Sequence, residues 1–265
     1  MTTLAPLSPL TPDGLSIPDF GLKGKRALVT GAGRGIGLAI ANAFAGMGAH
    51  VTLAARSRAE IETAAEAIKR QGGAADTLVI DVSQVEAIPE TLAAHETYDV
   101  LVNNAGTNRT RPFLEVPVDD FDAIMGLNVR AAYFMAQAVA RGMTETGRGG
   151  SIINMSSQMG HVGAATRTVY CASKWAMEGM TKAMAVDLAT YSIRVNTLCP
   201  TFIETPLTQN FLSNPDFQQE VLGKIKLGRI GKVGDLIGAA VFLASDASSL
   251  MTGSSLVIDG GWTAD

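Results

Sequence analysis

Tyr170 and Lys174 stand four residues apart in a stretch of helical pattern, which places both side chains on one helix face. Ser157 lies thirteen residues before the tyrosine, at the end of a short apolar strand. A free phenol has a pKa of about 10, too high for a base at neutral pH. A neighbouring lysine ammonium favours the phenolate. Such a pair can take a proton from an alcohol, or give one to a carbonyl oxygen. A serine hydroxyl on the same oxygen stabilises the charge that develops there. A Tyr-xxx-Lys pair alone arises by chance, and the serine upstream is what makes the set specific.

A second cluster runs Thr30-Gly31-Ala32-Gly33-Arg34-Gly35-Ile36-Gly37. Glycines also make ordinary turns, but this cluster lies between an apolar strand and a helical pattern. There the backbone can turn tightly and approach a pyrophosphate, and the helix N-terminus offers free N–H groups and a positive dipole end. The position favours a dinucleotide site.

The elements that must hold these residues read as alternating strands and helices. Apolar strand segments fall at 26–30, 50–55, 77–80, 99–103, 151–155, 193–198 and 255–258. Ser57 with Glu60, and Ser83 with Glu86, have the spacing of capping boxes at helix starts. Residues 121–145 carry helical periodicity, in two pieces. Strands separated by helical patterns predict βαβ units and a parallel sheet. The expected fold is α/β. It is a single Rossmann-type doubly wound domain over 22–265, with a mostly parallel seven-stranded sheet and helices on both faces. Four prolines between Pro6 and Pro18 predict an extended N-terminal arm over 1–21.

The chain resembles the short-chain dehydrogenases/reductases from about Leu22 to its end. The resemblance rests on motifs in order: TGAGRGIG at 30–37, Asp81-Val82, NNAG at 103–106, Asn128, Ser156-Ser157, YCASK at 170–174 and Asp259-Gly260-Gly261-Trp262. It implies an oxidoreductase that moves a hydride between NAD(P)(H) and a secondary alcohol or ketone. The implied catalytic set is Asn128, Ser157, Tyr170 and Lys174. Lys174 would also hold the nicotinamide ribose, and Asn128 a water that relays protons to it. The family's spacing selects Ser157 over Ser156, whose hydroxyl is then structural. Implied cofactor contacts are Gly31, Arg34, Gly35, Ile36 and Gly37, then Asp81 and Val82 at the adenine. Asn103, Ala105 and Gly106 follow beside the cofactor, and Pro200, Ile203 and Thr205 near the nicotinamide. Members commonly assemble as homotetramers, so a homo-oligomer is expected.

NAD-dependent members usually end the second strand with an acid. This chain has Ala55 there, then Arg56, with Arg34 in the glycine loop. Two guanidiniums can clamp a phosphate. NADP(H) is therefore favoured over NAD(H), the alternative being two solvated surface arginines. Arg109 and Arg111 follow NNAG, where sugar-acid members similar to gluconate 5-dehydrogenase often carry arginine. They read either as partners of a substrate carboxylate or as a solvated basic loop. His161 and Arg167 are further substrate candidates. Thr201 stands where the family usually has glycine, which predicts a different turn and pocket floor, since threonine does not take positive φ cheaply.

Composition narrows the alternatives. Apolar residues make up 47 % and the net charge is −4, which supports a globular core and argues against a nucleic-acid partner. No apolar run is long enough to span a membrane. Two cysteines without a CxxC pair suggest a reduced, cytoplasmic setting. The three histidines have no HExxH or GxSxG context, so neither a metal site nor a serine hydrolase is expected. The reading is an enzyme acting on a small polyol, sugar acid or ketone. One alternative is a 3-oxoacyl-carrier-protein reductase, which resembles other members. Another, of a different class, is a dinucleotide sensor without turnover.

Overall fold

The computed structural model describes residues 18–264. Most of the arm expected over 1–21 lies outside them. The described end of it, Pro18 to Phe20, is exposed, and the buried Leu22 begins the packed domain by donating its N–H to the Met47 carbonyl (2.8 Å).

Seven strands form one sheet: β1 (Arg26–Thr30), β2 (His50–Ala55), β3 (Ala74–Val79), β4 (Val100–Asn103), β5 (Gly150–Met155), β6 (Ile193–Pro200) and β7 (Ser255–Ile258). Their order is β3-β2-β1-β4-β5-β6-β7, and every neighbouring pair is parallel. Parallel strands covered on both faces read as continuous apolar runs, which is why β1 and β4 are almost wholly apolar and buried. Alternate residues feed two cores. Ala27 and Val29 pack with α1 (Gly35–Gly46), α2 (Arg58–Arg70) and the late helix Gly234–Ala244. Leu28 packs on the other face with Met135, Val139 and Met143.

Capping chemistry fixes α2. The Ser57 hydroxyl accepts the Glu60 N–H, as the sequence predicts. The second predicted capping box does not form. Ser83 instead folds back on Asp81, donating its N–H (3.0 Å) and hydroxyl (2.7 Å) to the carboxylate. Helix α3 (Ile88–Ala93) starts later, behind a short 3₁₀ turn.

The two-piece helix at 121–145 is α4 (Val118–Met125) and α5 (Ala132–Thr146), joined by a π-helical turn, Gly126–Ala131. Such turns widen a helix by one residue and frequently sit at functional sites. This one carries Asn128. The long α6 (Thr168–Leu188) packs along β6, followed by α7 (Pro206–Leu212), α8 (Pro215–Lys224) and α9 (Gly234–Ala244).

The sheet order reverses between β1 and β4. Chains leaving those strands turn to opposite faces, and a crevice opens between them at the carboxyl ends. Most residues singled out from the sequence as site candidates gather around that edge.

Candidate active site

A cleft of about 1010 Å³ follows this edge from Arg34 and Arg56 at one end to Ser157, Tyr170 and Phe202 at the other. Ser157 sits just past β5, buried, in extended conformation. Its hydroxyl donates to Gln158 Oε1 (2.7 Å) and accepts the Met159 N–H (3.1 Å). Tyr170 and Lys174 project from the first turns of α6. The Lys174 ammonium donates to the Met155 carbonyl at the end of β5 (2.7 Å) and lies 5.5 Å from the centre of the Tyr170 ring. Both pull in the directions burial dictates. The Tyr170 phenol is pushed up to about 12 by desolvation, which a hydrogen bond to Ser157 only partly offsets. The Lys174 amine is brought down to about 8 by its own burial. The sequence argument, in which the lysine lowers the phenol, meets a stronger opposing effect in the protein alone. The phenol is neutral at pH 7 and ready to donate.

Asn128 is buried in the π-helical turn. Its side chain accepts the Thr107 N–H (2.8 Å) and donates to the Thr107 carbonyl (2.9 Å) and the Ser173 hydroxyl (3.0 Å). Ser173 in turn donates to the Tyr170 carbonyl (2.7 Å). Asn128 thereby ties the loop after β4 to the helix turn that carries the tyrosine.

At the other end, Gly31 has φ +64, a conformation glycine takes without strain. Helix α1 starts at Gly35 with no side-chain cap and no acid in its first turn, so its N–H groups face the cleft unneutralised. That is the requirement for holding a diphosphate. The Asp81 carboxyl, lowered first by the Ser83 hydroxyl and further by the Arg56 charge, lines the same end with Val82. A cleft with a glycine turn, an uncapped helix start and two arginines fits a nicotinamide dinucleotide.

Most sequence-predicted residues line this cleft; Asn128, placed behind it in the π-helical turn, and four others do not. Asn103 is buried and donates to the Ala132 carbonyl and Asn154 Oδ1 (both 3.0 Å), so its side chain belongs to the sheet. The neighbour that sequence reasoning passed over, Asn104, faces the cleft. Its side chain donates to the carbonyls of Thr30 (2.9 Å) and Gly31 (3.2 Å), and Thr30 Oγ1 accepts the N–H groups of Asn104 and Ala105. Gly37 lies beneath the loop, against Asn104 and Gly31. His161 turns away from the cleft, its Nε2 3.7 Å from the buried Glu178 carboxylate. Cys199 donates its thiol to the same carboxylate (3.3 Å), and burial pushes that thiol up to about 12; His161 Nε2 has no hydrogen-bond partner among the described residues. Arg111 lies outside the cleft, and Arg109 lines it. Both guanidiniums are bound to one buried carboxylate, Asp120 (3.1 and 2.8 Å), whose pKa they lower.

Thr201 departs from expectation in a different way. Its φ is not positive, so the turn does not require glycine. The difference is chemical: the hydroxyl is buried at the cleft wall with no hydrogen-bond partner among the described residues.

A family model described as enoyl-(acyl carrier protein) reductase matches residues 31–263. Bovine L-xylulose reductase is 39 % identical over 246 residues, covering 93 % of this chain and 99 % of the relative. Gluconate 5-dehydrogenase of Gluconobacter oxydans is 39 % identical over 254 residues, covering 94 % and 99 %. The chain belongs to the short-chain dehydrogenases/reductases. A solved gluconate 5-dehydrogenase from Burkholderia cenocepacia, in complex with NADP and tartrate, superposes with a TM-score of 0.90 at 38 % identity, covering 93 % of this chain and 98 % of that one. Like other short-chain dehydrogenases/reductases matched over this length, the protein is an NAD(P)(H)-dependent oxidoreductase acting on CH–OH groups. Among the described residues, no helix is long and apolar enough to cross a membrane.

Proposed function

We propose that the protein is an NADP(H)-preferring oxidoreductase interconverting the secondary alcohol and ketone of small polyols and sugar acids. The observation that carries the cofactor choice is the adenosine end of the cleft. β2 ends in Ala55 rather than an acid, and Arg34 and Arg56 flank the opening, exposed and facing it. Arg34 has only a loose contact with Glu60 (3.6 Å), which leaves its donors free for a phosphate. The relatives named L-xylulose reductase and gluconate 5-dehydrogenase support the substrate class.

In this reading Tyr170 delivers its proton to the substrate oxygen and Ser157 hydrogen-bonds the same atom. Lys174, held by Met155, keeps a positive charge beside the phenol and binds ribose hydroxyls. Asn128 fixes the loop and helix that frame them. The bound dinucleotide supplies or accepts the hydride.

The test is a fluorescence titration with NADPH and NADH, followed by absorbance at 340 nm with a panel of neutral ketoses, keto-acids and a 3-oxoacyl thioester. NADPH should bind more tightly, and a ketose or keto-acid should turn over. The double substitution Arg34→Ala and Arg56→Ala should weaken NADPH about 10- to 100-fold, as loss of charge-assisted hydrogen bonds does, and leave NADH nearly unchanged. Equal effects on both would return the arginines to the surface, and turnover of the thioester alone would favour the carrier-protein reductase.

Assembly into a homo-oligomer is part of this proposal. Phe121 on α4, Tyr133 and Phe134 on α5, and Trp175 on α6 are all exposed, an apolar load that monomeric proteins rarely leave in water. Light scattering should give a multiple of 27.6 kDa. Phe121→Glu with Trp175→Glu should reduce it to the single-chain mass; an unchanged multiple would place the interface elsewhere.

A further inference from the structure

We infer that Arg167 is the anion anchor of the substrate site, and that the preferred substrate carries a carboxylate a few carbons from the reacting C–O group. The inference rests on the proposed function above and names its substrate class.

Three arginines could serve a carboxylate near the reacting end, and two are already neutralised. Arg109 and Arg111 share the buried Asp120. Arg167 has no carboxylate within ion-pair distance among the described residues. Among the described residues its guanidinium donates from Nη1 to the Ala165 carbonyl (3.1 Å), so most of its five donors are uncommitted. It lines the cleft three residues before Tyr170. Burial lowers its pKa, opposed in part by the charge of Glu220, which is itself paired with Lys224 (3.3 Å). A desolvated guanidinium without a counter-ion is costly, and an arriving carboxylate removes that cost.

Aromatic rings flank the group. Its guanidinium carbon lies 5.7 Å from the centre of the Phe202 ring and 5.2 Å from that of Phe217. Phe202 stacks on Trp262 and meets Phe217 edge-on, so the cation rests on an aromatic wall. The backbone leading into it is strained. Thr166, β-branched, has φ +59, and its carbonyl accepts the Arg111 N–H (2.9 Å). Threonine is costly in that region, and such outliers cluster at ligand-holding positions. Here the strained residue sets the direction of Arg167.

Space is available on its far side. A second cavity of about 390 Å³, including Thr110, Asn214 and Lys224 in its wall, meets the main cleft at Met159, Arg167 and Phe202. A chain of carbons reaching from Ser157 and Tyr170 therefore passes the guanidinium before it enters this cavity. A bidentate carboxylate on Arg167 would fix both the distance and the facing of the carbonyl carbon.

The experiment uses the full-length enzyme loaded with NADP(H) and two variants, Arg167→Met and Arg167→Lys. Methionine keeps an apolar stem over the phenylalanines and removes the charge; lysine keeps the charge and loses the fork. Calorimetric titration of the NADPH-loaded form with gluconate, tartrate and neutral sorbitol, which the reduced cofactor cannot oxidise, reads binding without turnover. Kinetics with 5-ketogluconate and a neutral ketose read the reaction. Wild type should bind gluconate more tightly than sorbitol. Arg167→Met should lose about 10- to 100-fold in gluconate affinity and raise KM for the keto-acid by a similar factor, with kcat and the neutral ketose little changed. Arg167→Lys should fall between. If wild type does not prefer gluconate over sorbitol, or if Arg167→Met weakens acid and neutral ligands alike with unchanged Tm, Arg167 is not the anchor. Loss of turnover with every substrate, while gluconate still binds through Arg167, would instead overturn the proposed reaction and leave the anion site standing.

Discussion

Tyr170→Phe is expected to lower kcat by about two to four orders of magnitude while leaving NADPH affinity and Tm nearly unchanged, as removal of a general acid does. The substitution deletes one hydroxyl from a half-buried ring and leaves its packing intact. What disappears is the only phenol in the cleft among the described residues, standing beside Ser157 at one side and Lys174 at the other. Burial pushes that phenol up to about 12 and so keeps the proton in place for carbonyl reduction. The same geometry sets a pH dependence. Lys174, brought down to about 8, carries its charge below that pH and loses it above. The rate constant kcat/KM for reduction should therefore fall as pH rises through about 8 in wild type. Stopped-flow turnover with the best ketone checks both points; near-normal turnover in Tyr170→Phe would remove the tyrosine from its role.

The sheet was legible because parallel strands buried on both faces must be apolar runs, short ones bounded by turn residues. β3 shows the limit. Its strand begins at Ala74, three residues before the apolar part, because Ala74, Ala75 and Asp76 pair with His50, Val51 and Thr52 of β2. Asp76 earns its place in the strand through a contact with His50 (2.6 Å) that no local pattern announces. The catalytic geometry was legible for a similar reason. Tyr170 and Lys174 depend on helical spacing alone, and Ser157 on the end of a strand. What sequence does not carry is the partner of a charge. Arg109 and Arg111 look available until folding brings Asp120 of α4 beneath them, while Arg167 looks ordinary until the aromatic wall and the absence of a counter-ion are seen together. Asn103 and Asn104 are identical in composition and opposite in role, because alternate residues at a strand end point to opposite sides. Asn103 faces the sheet interior and Asn104 the glycine loop. The doubled asparagine after an apolar strand was the available signal for both.

Gly37→Ala should do as much damage as loss of the phenol, by a different route. A methyl group at this position would lie 2.5 Å from Asn104 Nδ2 and 2.5 Å from the Gly31 carbonyl oxygen. The first neighbour is a side chain, yet it cannot yield freely. Its amide holds the carbonyls of Thr30 and Gly31, and so ties the loop after β1 to the loop after β4. The second neighbour is backbone, within the turn that needs the positive φ of Gly31. One added carbon therefore displaces both walls of the dinucleotide cleft at once and lifts the start of α1 away from them. Overpacking of this kind costs about 1–3 kcal/mol, which for a domain of this size lowers Tm by a few degrees or more. The larger effect is on binding, because the α1 N–H groups hold a diphosphate only if their spacing is kept. NADPH affinity should fall by about 100-fold, read by fluorescence titration beside a thermal melt. The double variant Gly37→Ala with Asn104→Ala separates the two clashes. It relieves the side-chain contact but leaves the one with the Gly31 carbonyl and cuts the tie between loops, so binding should stay weak. Unchanged affinity and Tm in Gly37→Ala would mean that the loop above this glycine can move without consequence, and the close packing beneath the nucleotide would carry no function.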